Sequence, residues 1–377
     1  MKTIQMVDLK SQYQKLKTEI DKAVIDVLES SAFINGKPVH DLAADLSAYL
    51  GVKHVIPCAN GTDALQIALM ALDLKPGDEV ITPSFTFIAT TEVVALLQLK
   101  PVFVDVDRET FCIDPEGIRK AITPKTKAIV PVHLYGHAAN MEEIMKIAAE
   151  YNLPVIEDNA QAIGCEVKFS DGTIKKTGSI GDIGTTSFFP SKNLGGYGDG
   201  GAIFTNNDTL ADKLKMIANH GQSRRYYHDI VGCNSRLDTI QAAILKIKLR
   251  ELDNYIQARN KAAGYYTKAF AGVPGITTPS LASYSNHVYH QYTLVLEGID
   301  RNGLNQYLAE KHIPSMIYYP VPGHKQKMFD AFGLPQYELS VTDWLTERVL
   351  SLPMHTELDT EQLDFITSSV TEYINKN

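Results

Sequence analysis

Thr185-Thr186-Ser187-Phe188-Phe189-Pro190-Ser191-Lys192-Asn193-Leu194-Gly195-Gly196-Tyr197-Gly198-Asp199-Gly200-Gly201-Ala202 is the stretch on which the fold of this chain turns. It opens as an apolar, aromatic run with the character of a buried strand. A second apolar run, Ala202-Ile203-Phe204-Thr205, closes it before the turn residues Asn206-Asn207. Between the runs lies a glycine-rich loop holding one lysine. A long hydrated side chain rarely follows Phe-Phe-Pro in a buried strand unless its amine has a partner or a task. A desolvated lysine titrates low, and its neutral amine attacks aldehydes. The plainer alternative is that Lys192 leaves the core at a strand end and snorkels to water.

Upstream of this stretch, strands and helices alternate. Residues 12–30 and Val39–Leu50 read as amphipathic helices separated by the turn Asn35-Gly36-Lys37-Pro38. Short β-branched runs follow at Val55–Cys58, Glu79–Pro83, Pro101–Val106, Lys127–Val132 and Pro154–Asp158. Helical patterns lie between them at Thr62–Leu72, Thr90–Leu97, Asp114–Ala121 and Met141–Tyr151, with Asp114 as N-cap and Pro115 at the first helical position. With the two strands around Lys192 the count is about seven. Near-continuous apolar strands alternating with helices predict a mostly parallel sheet covered on both faces, an α/β fold.

Beyond it, Thr209–His220 reads as a helix and Gly221–His228 as a polar stretch. Leu237–Leu252 reads as a long apolar helix that continues in register towards Phe270. Its Leu237, Ile240, Ala243, Ile244, Ile247 and Leu252 form a face able to dock on a second surface. His287–Leu296 alternates like a strand, and Arg301–His312 reads as a helix. The expected organisation is a large α/β domain over residues 1–250, including an N-terminal helical segment 1–50, and a smaller α+β domain over 251–377.

The 377 residues exceed one ordinary core. A net charge of -8 argues against nucleic acid or an anionic membrane as the main partner. Four dispersed cysteines, with no CxxC pair and no metal-ligand spacing, suit reduced thiols in a cytoplasmic protein. No apolar run approaches the ~18–20 residues that span a bilayer.

In open α/β sheets, ligands sit beyond the carboxyl ends of the strands. Asn60-Gly61-Thr62-Asp63 lies at one such end and has the outline of a phosphate site at a helix N-terminus, or of an ordinary N-cap. Asp158, with Gln161, ends another strand and could cap a helix or hold a positive ring nitrogen. Lys192, with Ser187 and Ser191 nearby, ends a third. A phosphate site, an acid and a lysine at three strand ends meet the requirements of pyridoxal phosphate.

The motifs Asn60–Leu65, Pro76–Pro83, Pro131–Gly136, Glu157-Asp158-Asn159-Ala160-Gln161, Ser187–Lys192, Gly198–Gly201 and Asn234-Ser235-Arg236-Leu237-Asp238 occur in order along nearly the whole chain. In these the chain resembles the DegT/DnrJ/EryC1/StrS sugar-nucleotide aminotransferases, on the fold-type I pyridoxal-phosphate architecture. The resemblance implies Lys192 as the Schiff-base lysine and Asp158 as partner of the pyridine nitrogen. It also implies Gln161 on the ring's phenolic oxygen, Phe87 on the ring face, and Gly61, Thr62, Asp63 and Ser187 around the phosphate. Asn234 would reach the phosphate of a neighbouring subunit, so a homodimer would share its sites.

Within that family the run His220–His228, followed by Val231–Arg236, is most similar to enzymes acting on UDP-2-acetamido-2-deoxy-3-oxo-glucuronate for surface polysaccharide. Arg224, Arg225 and Arg236 suit diphosphate and carboxylate, although Arg224 and Arg225 also suit a solvated turn. Tyr318, Tyr319 and His324 complete the expected substrate set. Tyr318-Tyr319-Pro320 stands where the uronate enzymes carry His-Tyr-Pro. The implied reaction is ping-pong transamination: glutamate gives its amine and leaves as 2-oxoglutarate, the keto sugar takes the amine, and Lys192 shuttles the proton. The alternatives are a dTDP-linked keto-deoxysugar aminated at C3 or C4, and a non-catalytic pyridoxal-phosphate-binding regulator.

Overall fold

The computed structural model describes residues 2–376. Seven strands build the main sheet: β1 (His54–Cys58), β2 (Glu79–Pro83), β3 (Lys100–Val104), β4 (Thr126–Ile129), β5 (Ile156–Asp158), β6 (Ile183–Ser187) and β7 (Gly201–Thr205). Strand β2 pairs in parallel with β3 and β4, and parallel bridges Ile129–Val155 and Val132–Asp158 join β4 to β5. Strand β5 pairs in parallel with β6, and β7 runs antiparallel to both β6 and β1. The order is therefore 3-2-4-5-6-7-1 with β7 alone reversed. The β6–β7 connection carries no helix, as suits an antiparallel return.

Neighbouring residues on each strand serve opposite faces, as the pleat requires. Val80, Ala128, Ile156 and Ile183 pack with the helices α3 (Gly61–Ala71), α4 (Ala89–Leu96) and α7 (Asp208–Ala218). Ile81, Ile129 and Val155 pack with α5 (Pro115–Ala121) and α6 (Met141–Tyr151). Both faces are thus buried, as parallel pairing demands. The amino-terminal helices α1 (Leu9–Ser30) and α2 (Lys37–Leu50) lie against α8 (Thr239–Arg250). Asp114 caps α5 as expected, accepting the Glu116 and Gly117 amides. Among the described residues no helix is long and apolar enough to cross a membrane.

Three expectations need correction. The helix read from Leu237 onward in one register is two helices, α8 and α9 (Leu252–Ala269), meeting at Glu251. The break lets each serve a different core: Leu245 and Leu249 pack with α2 and Phe188, whereas Ala262, Ala263 and Tyr266 pack beneath a second sheet. The α8 face read as free to dock is covered within its own chain, with Ile244 and Ile247 against Ile20 of α1. The strand read over His287–Leu296 is only Tyr292–Leu296, and all five residues are buried rather than alternating. Ahead of it Tyr289 has φ 44°, a left-handed conformation that ends the extended run, and Val288 and Gln291 instead donate to the carbonyls of Gly136 and Tyr135. The polar stretch after His220 is a small hairpin, Gln222–Arg224 against Tyr227–His228.

The second sheet is antiparallel and comprises β8 (Ile276–Thr277), β9 (Tyr292–Leu296) and β10 (Val349–Leu352). It is covered by α9, α10 (Arg301–Glu310) and α12 (Thr360–Lys376), while α11 (Ser340–Arg348) leads into β10.

Candidate active site

The parallel strands present their carboxyl ends on one edge of the sheet, where β7 begins. At the end of β1, Asn60 adopts an extended conformation and caps α3, its Oδ1 accepting the Asp63 amide at 2.8 Å. The amides of Gly61 and Thr62 and the Thr62 hydroxyl bond to none of the described residues. Ser187, ending β6, lies against this turn: a Cβ on Gly61 would stand 2.7 Å from its Cβ. Ser187 Oγ accepts the Phe189 amide at 3.2 Å, which leaves its proton to donate outward. Free amides, two hydroxyls and the positive end of a helix dipole form an anion cradle.

On the strand next to β6, Asp158 ends β5, and Val132 and Thr185 flank it in register. Its carboxylate is buried; Oδ1 accepts the Ala160 amide at 3.1 Å and Oδ2 the Thr90 hydroxyl at 2.8 Å. Thr86, 3.2 Å from Thr90 between hydroxyls, extends this chain back to the end of β2. Lys192 follows β6 in a turn closed by its own amide on the Phe189 carbonyl. Its amine bonds to none of the described residues. Loss of solvation lowers its pKa to about 8, and the negative charge of Asp158 opposes that shift. Behind it, buried His290 is held neutral mainly by desolvation and further by the charge of Lys192.

Gln161 accepts the Tyr135 amide at 2.7 Å and donates to the Tyr319 hydroxyl at 3.0 Å. Tyr318 is joined to the Tyr135 hydroxyl through its carbonyl, and Phe87, half exposed, lies 6.1 Å from the Tyr319 ring. Gln161, Phe87, Tyr318 and Tyr319 therefore form one connected group, Lys192 and Asp158 feel each other's charge at neighbouring strand ends, and Gly61 lies against Ser187 at the end of β6.

The remaining expected residues stand apart. Arg224 and Arg225 are exposed on the hairpin, stacked over Tyr227 and Tyr226. Asn234 is exposed, and its side chain has no partner among the described residues. Arg236 is half-buried and bonds Asn219 Oδ1 at 3.3 Å. His324 is occupied by its own neighbours: Nδ1 lies 2.7 Å from Ser84 Oγ, and its ring packs on Phe103 and Tyr337. Thr90, Thr86 and His290 were not foreseen. The two threonines did carry a signal, four residues apart where β2 runs into α4, at the same edge as the other strand-end groups.

These residues fit a phosphorylated aldehyde carrying a ring nitrogen. The cradle offers donors with no acceptor among the described residues, Asp158 offers a carboxylate, and Lys192 offers a half-buried amine with no hydrogen-bond partner among them. The model of the DegT/DnrJ/EryC1/StrS aminotransferase family matches residues 14–371. The chain is 46% identical to a pleiotropic regulatory protein of Geobacillus stearothermophilus, over 98% of both chains. It is 46% identical to the UDP-2-acetamido-2-deoxy-3-oxo-D-glucuronate aminotransferase of Pseudomonas aeruginosa, over 98% of this chain and 99% of the relative. It is 45% identical to the UDP-N-acetyl-3-dehydro-alpha-D-glucosamine 3-aminotransferase of Acidithiobacillus ferrooxidans, over 97% of each. The crystal structure of NtdA from Bacillus subtilis with bound cofactor PMP superposes with a TM-score of 0.87 at 34% identity, covering 96% of this chain and 82% of that one.

Proposed function

The chain belongs to the DegT/DnrJ/EryC1/StrS aminotransferase family and is a pyridoxal-phosphate-dependent sugar aminotransferase. On that premise we propose that it moves an amino group from glutamate to C3 of a UDP-linked 3-oxo sugar. UDP-2-acetamido-2-deoxy-3-oxo-glucuronate is the foremost substrate. The observation that carries the reaction is the Lys192 amine, half-buried, with no hydrogen-bond partner among the described residues and close enough to Asp158 to feel its charge. The choice of sugar rests on the two relatives whose names specify UDP-linked 3-oxo sugars.

In this reading Gly61, Thr62, Asp63 and Ser187 hold the phosphate. Asp158 pairs with the ring nitrogen, Phe87 lies on the ring, and the second amide hydrogen of Gln161 meets the phenolic oxygen. Bound there, the cofactor supplies an electron sink for the carbon that exchanges amine and proton. Lys192, its basicity lowered by burial, is available as a neutral base near neutral pH and moves the proton at that carbon. Tyr318 and Tyr319 line the sugar side. His324 acts through the loop it ties to Ser84. Arg224, Arg225 and Arg236 meet the diphosphate, and Asn234 reaches the phosphate of a second copy in a cytoplasmic homodimer.

The test is a single turnover. The amine-loaded enzyme is mixed with the 3-oxo forms of UDP-N-acetylglucosamine and its uronate, and with dTDP-linked keto-deoxysugars. The product is identified by mass and the return of the cofactor's visible absorbance is timed. Fastest amination of a UDP-linked 3-oxo sugar is expected. Preference for a dTDP sugar would move the assignment to that substrate class, and inertness to every sugar would remove the sugar assignment.

A further inference from the structure

The loop that carries Lys192 has little structure of its own. From Phe188 to Gly200 its backbone makes three hydrogen bonds of its own among the described residues: the turn Lys192 N–H to Phe189 C=O at 2.9 Å, and the longer closures Gly196 N–H to Phe188 C=O at 2.8 Å and Phe188 N–H to Gly200 C=O at 2.7 Å. Buried main-chain groups need partners, so something outside the loop must hold the rest. Asn193 Nδ2 ties the loop to the Val288 carbonyl at 2.9 Å, and two side chains of α8 hold two of its main-chain groups. Gln241 Oε1 accepts the Tyr197 amide at 2.7 Å, and Lys248 Nζ donates to the Gly195 carbonyl. Residues 241 and 248 are seven apart, two turns along one helix face.

Lys248 is an unusual residue to find there. It is 1% exposed, yet among the described residues its amine has no carboxylate partner, only the Gly195 carbonyl and the Tyr197 ring 5.2 Å away. Burial, with the charge of Arg259 adding to it, lowers its pKa to about 7, and a neutral amine still donates the same bond. An apolar side chain would fill this core position without desolvating an amine. What the lysine adds is the bond to the loop. Gln241 is fitted to the loop as closely. A Cβ on Gly196 would stand 2.8 Å from its Oε1, and one on Gly198 would stand 3.0 Å from its Nε2. Glycine at these two positions makes room for the glutamine amide.

We propose that Gln241 and Lys248 are positioning residues for Lys192, a two-point clamp by which α8 holds the loop so that the amine meets the cofactor aldehyde. The inference rests on the reading of Lys192 as the cofactor lysine. Gln241 and Lys248 act through the loop they hold, and their effect is confined to where the lysine stands.

That confinement is testable, because pyridoxamine phosphate fills the same site without bonding to a lysine. Cofactor-free protein is mixed with pyridoxal phosphate, capture is followed by visible absorbance, and borohydride fixes the bond for peptide mapping. Fixation anywhere but Lys192 in the wild type overturns the reading of Lys192 and the clamp with it. With Lys192 labelled, Lys248→Met and Gln241→Leu should each capture about tenfold more slowly, the loss expected when one such hydrogen bond is removed. Their affinity for pyridoxamine phosphate should stay within about twofold of wild type, a difference too small to count as one lost hydrogen bond. Gln241→Glu, which keeps an acceptor oxygen for the Tyr197 amide, should recover most of the rate. Wild-type capture rates in both variants overturn the clamp. So does a parallel fall in pyridoxamine phosphate affinity, which would make the two residues structural only.

Discussion

The hydroxyl of Thr90 donates to Oδ2 of Asp158 at 2.8 Å, and both residues are buried. A carboxylate held by a hydroxyl on one oxygen and a backbone amide on the other has a fixed orientation. Thr90→Val keeps the shape and removes the donor. Turnover should fall about tenfold, the scale of a hydrogen bond to a charged group, and Thr90→Ser should restore most of it. Asp158→Asn should cost on the order of 10²-fold or more, as loss of a preorganised charge does. Steady-state kinetics check both. An Asp158→Asn enzyme as fast as wild type would reduce the acid to a partner of the Ala160 amide.

Lys192 should leave its signature in a pH profile. Capture of an aldehyde needs the neutral amine, so the capture rate should climb as pH rises through about 8 and level off above it. Asp158 favours the ammonium form; Asp158→Asn should therefore shift the midpoint to lower pH. Stopped-flow absorbance at fixed cofactor concentration measures both midpoints. A profile centred near the ordinary lysine value of about 10.4 would show a solvated amine.

A site shared between two copies, as proposed for Asn234, predicts complementation. Lys192→Ala and Asn234→Ala, each nearly inactive alone, should regain up to about half of the wild-type activity per mixed dimer, because two-fold symmetry leaves one intact site and one doubly damaged site. The measurement is turnover after mixing and reassociation, with mixed dimers counted by mass. Mixed dimers without activity would confine Asn234 to its own chain.

Acid should weaken the fold through buried imidazoles. Burial lowers His137 and His355 to about 4, helped by the charge of nearby Arg259 at His355 and by His133 at His137. The unfolded chain takes up these protons near pH 6.5, before the folded one does. Between roughly pH 4 and 6.5 the unfolded state thus binds more protons, and stability rises with pH across that window and levels off above it. Urea midpoints at about pH 5 and pH 7.5 should differ in that sense. His355→Gln should flatten the slope, and an unchanged slope would show that this imidazole is open to solvent when folded.

Much of the site was legible because it sits where strands stop. Asn60, Asp158 and Lys192 each follow a short apolar run, and a polar group at such a point is visible without knowing which strands are neighbours. Thr90 was not legible as a partner of Asp158, since 68 residues separate them and no local pattern records the meeting. Lys248 and Gln241 were hidden for a related reason: in a helix read by its apolar face they count as interruptions, and their use appears only when the loop is laid against them.

The sequence by itself determined the alternation of strands and helices, the Asp114 cap and the chemical character of the strand-end residues. Each of these depends on neighbours within a turn or a strand of one another, where periodicity and capping operate. The tertiary structure alone decided the order 3-2-4-5-6-7-1, which sets the ends of β5 and β6 side by side and the end of β1 two positions beyond β6, across β7. It also decided the break at Glu251, which divides one apolar pattern between two cores without proline or glycine to mark it. It ended β9's alternation by covering both faces of the strand. These are outcomes of packing between segments far apart in the chain, and burial on every side erases the contrast that a sequence pattern needs.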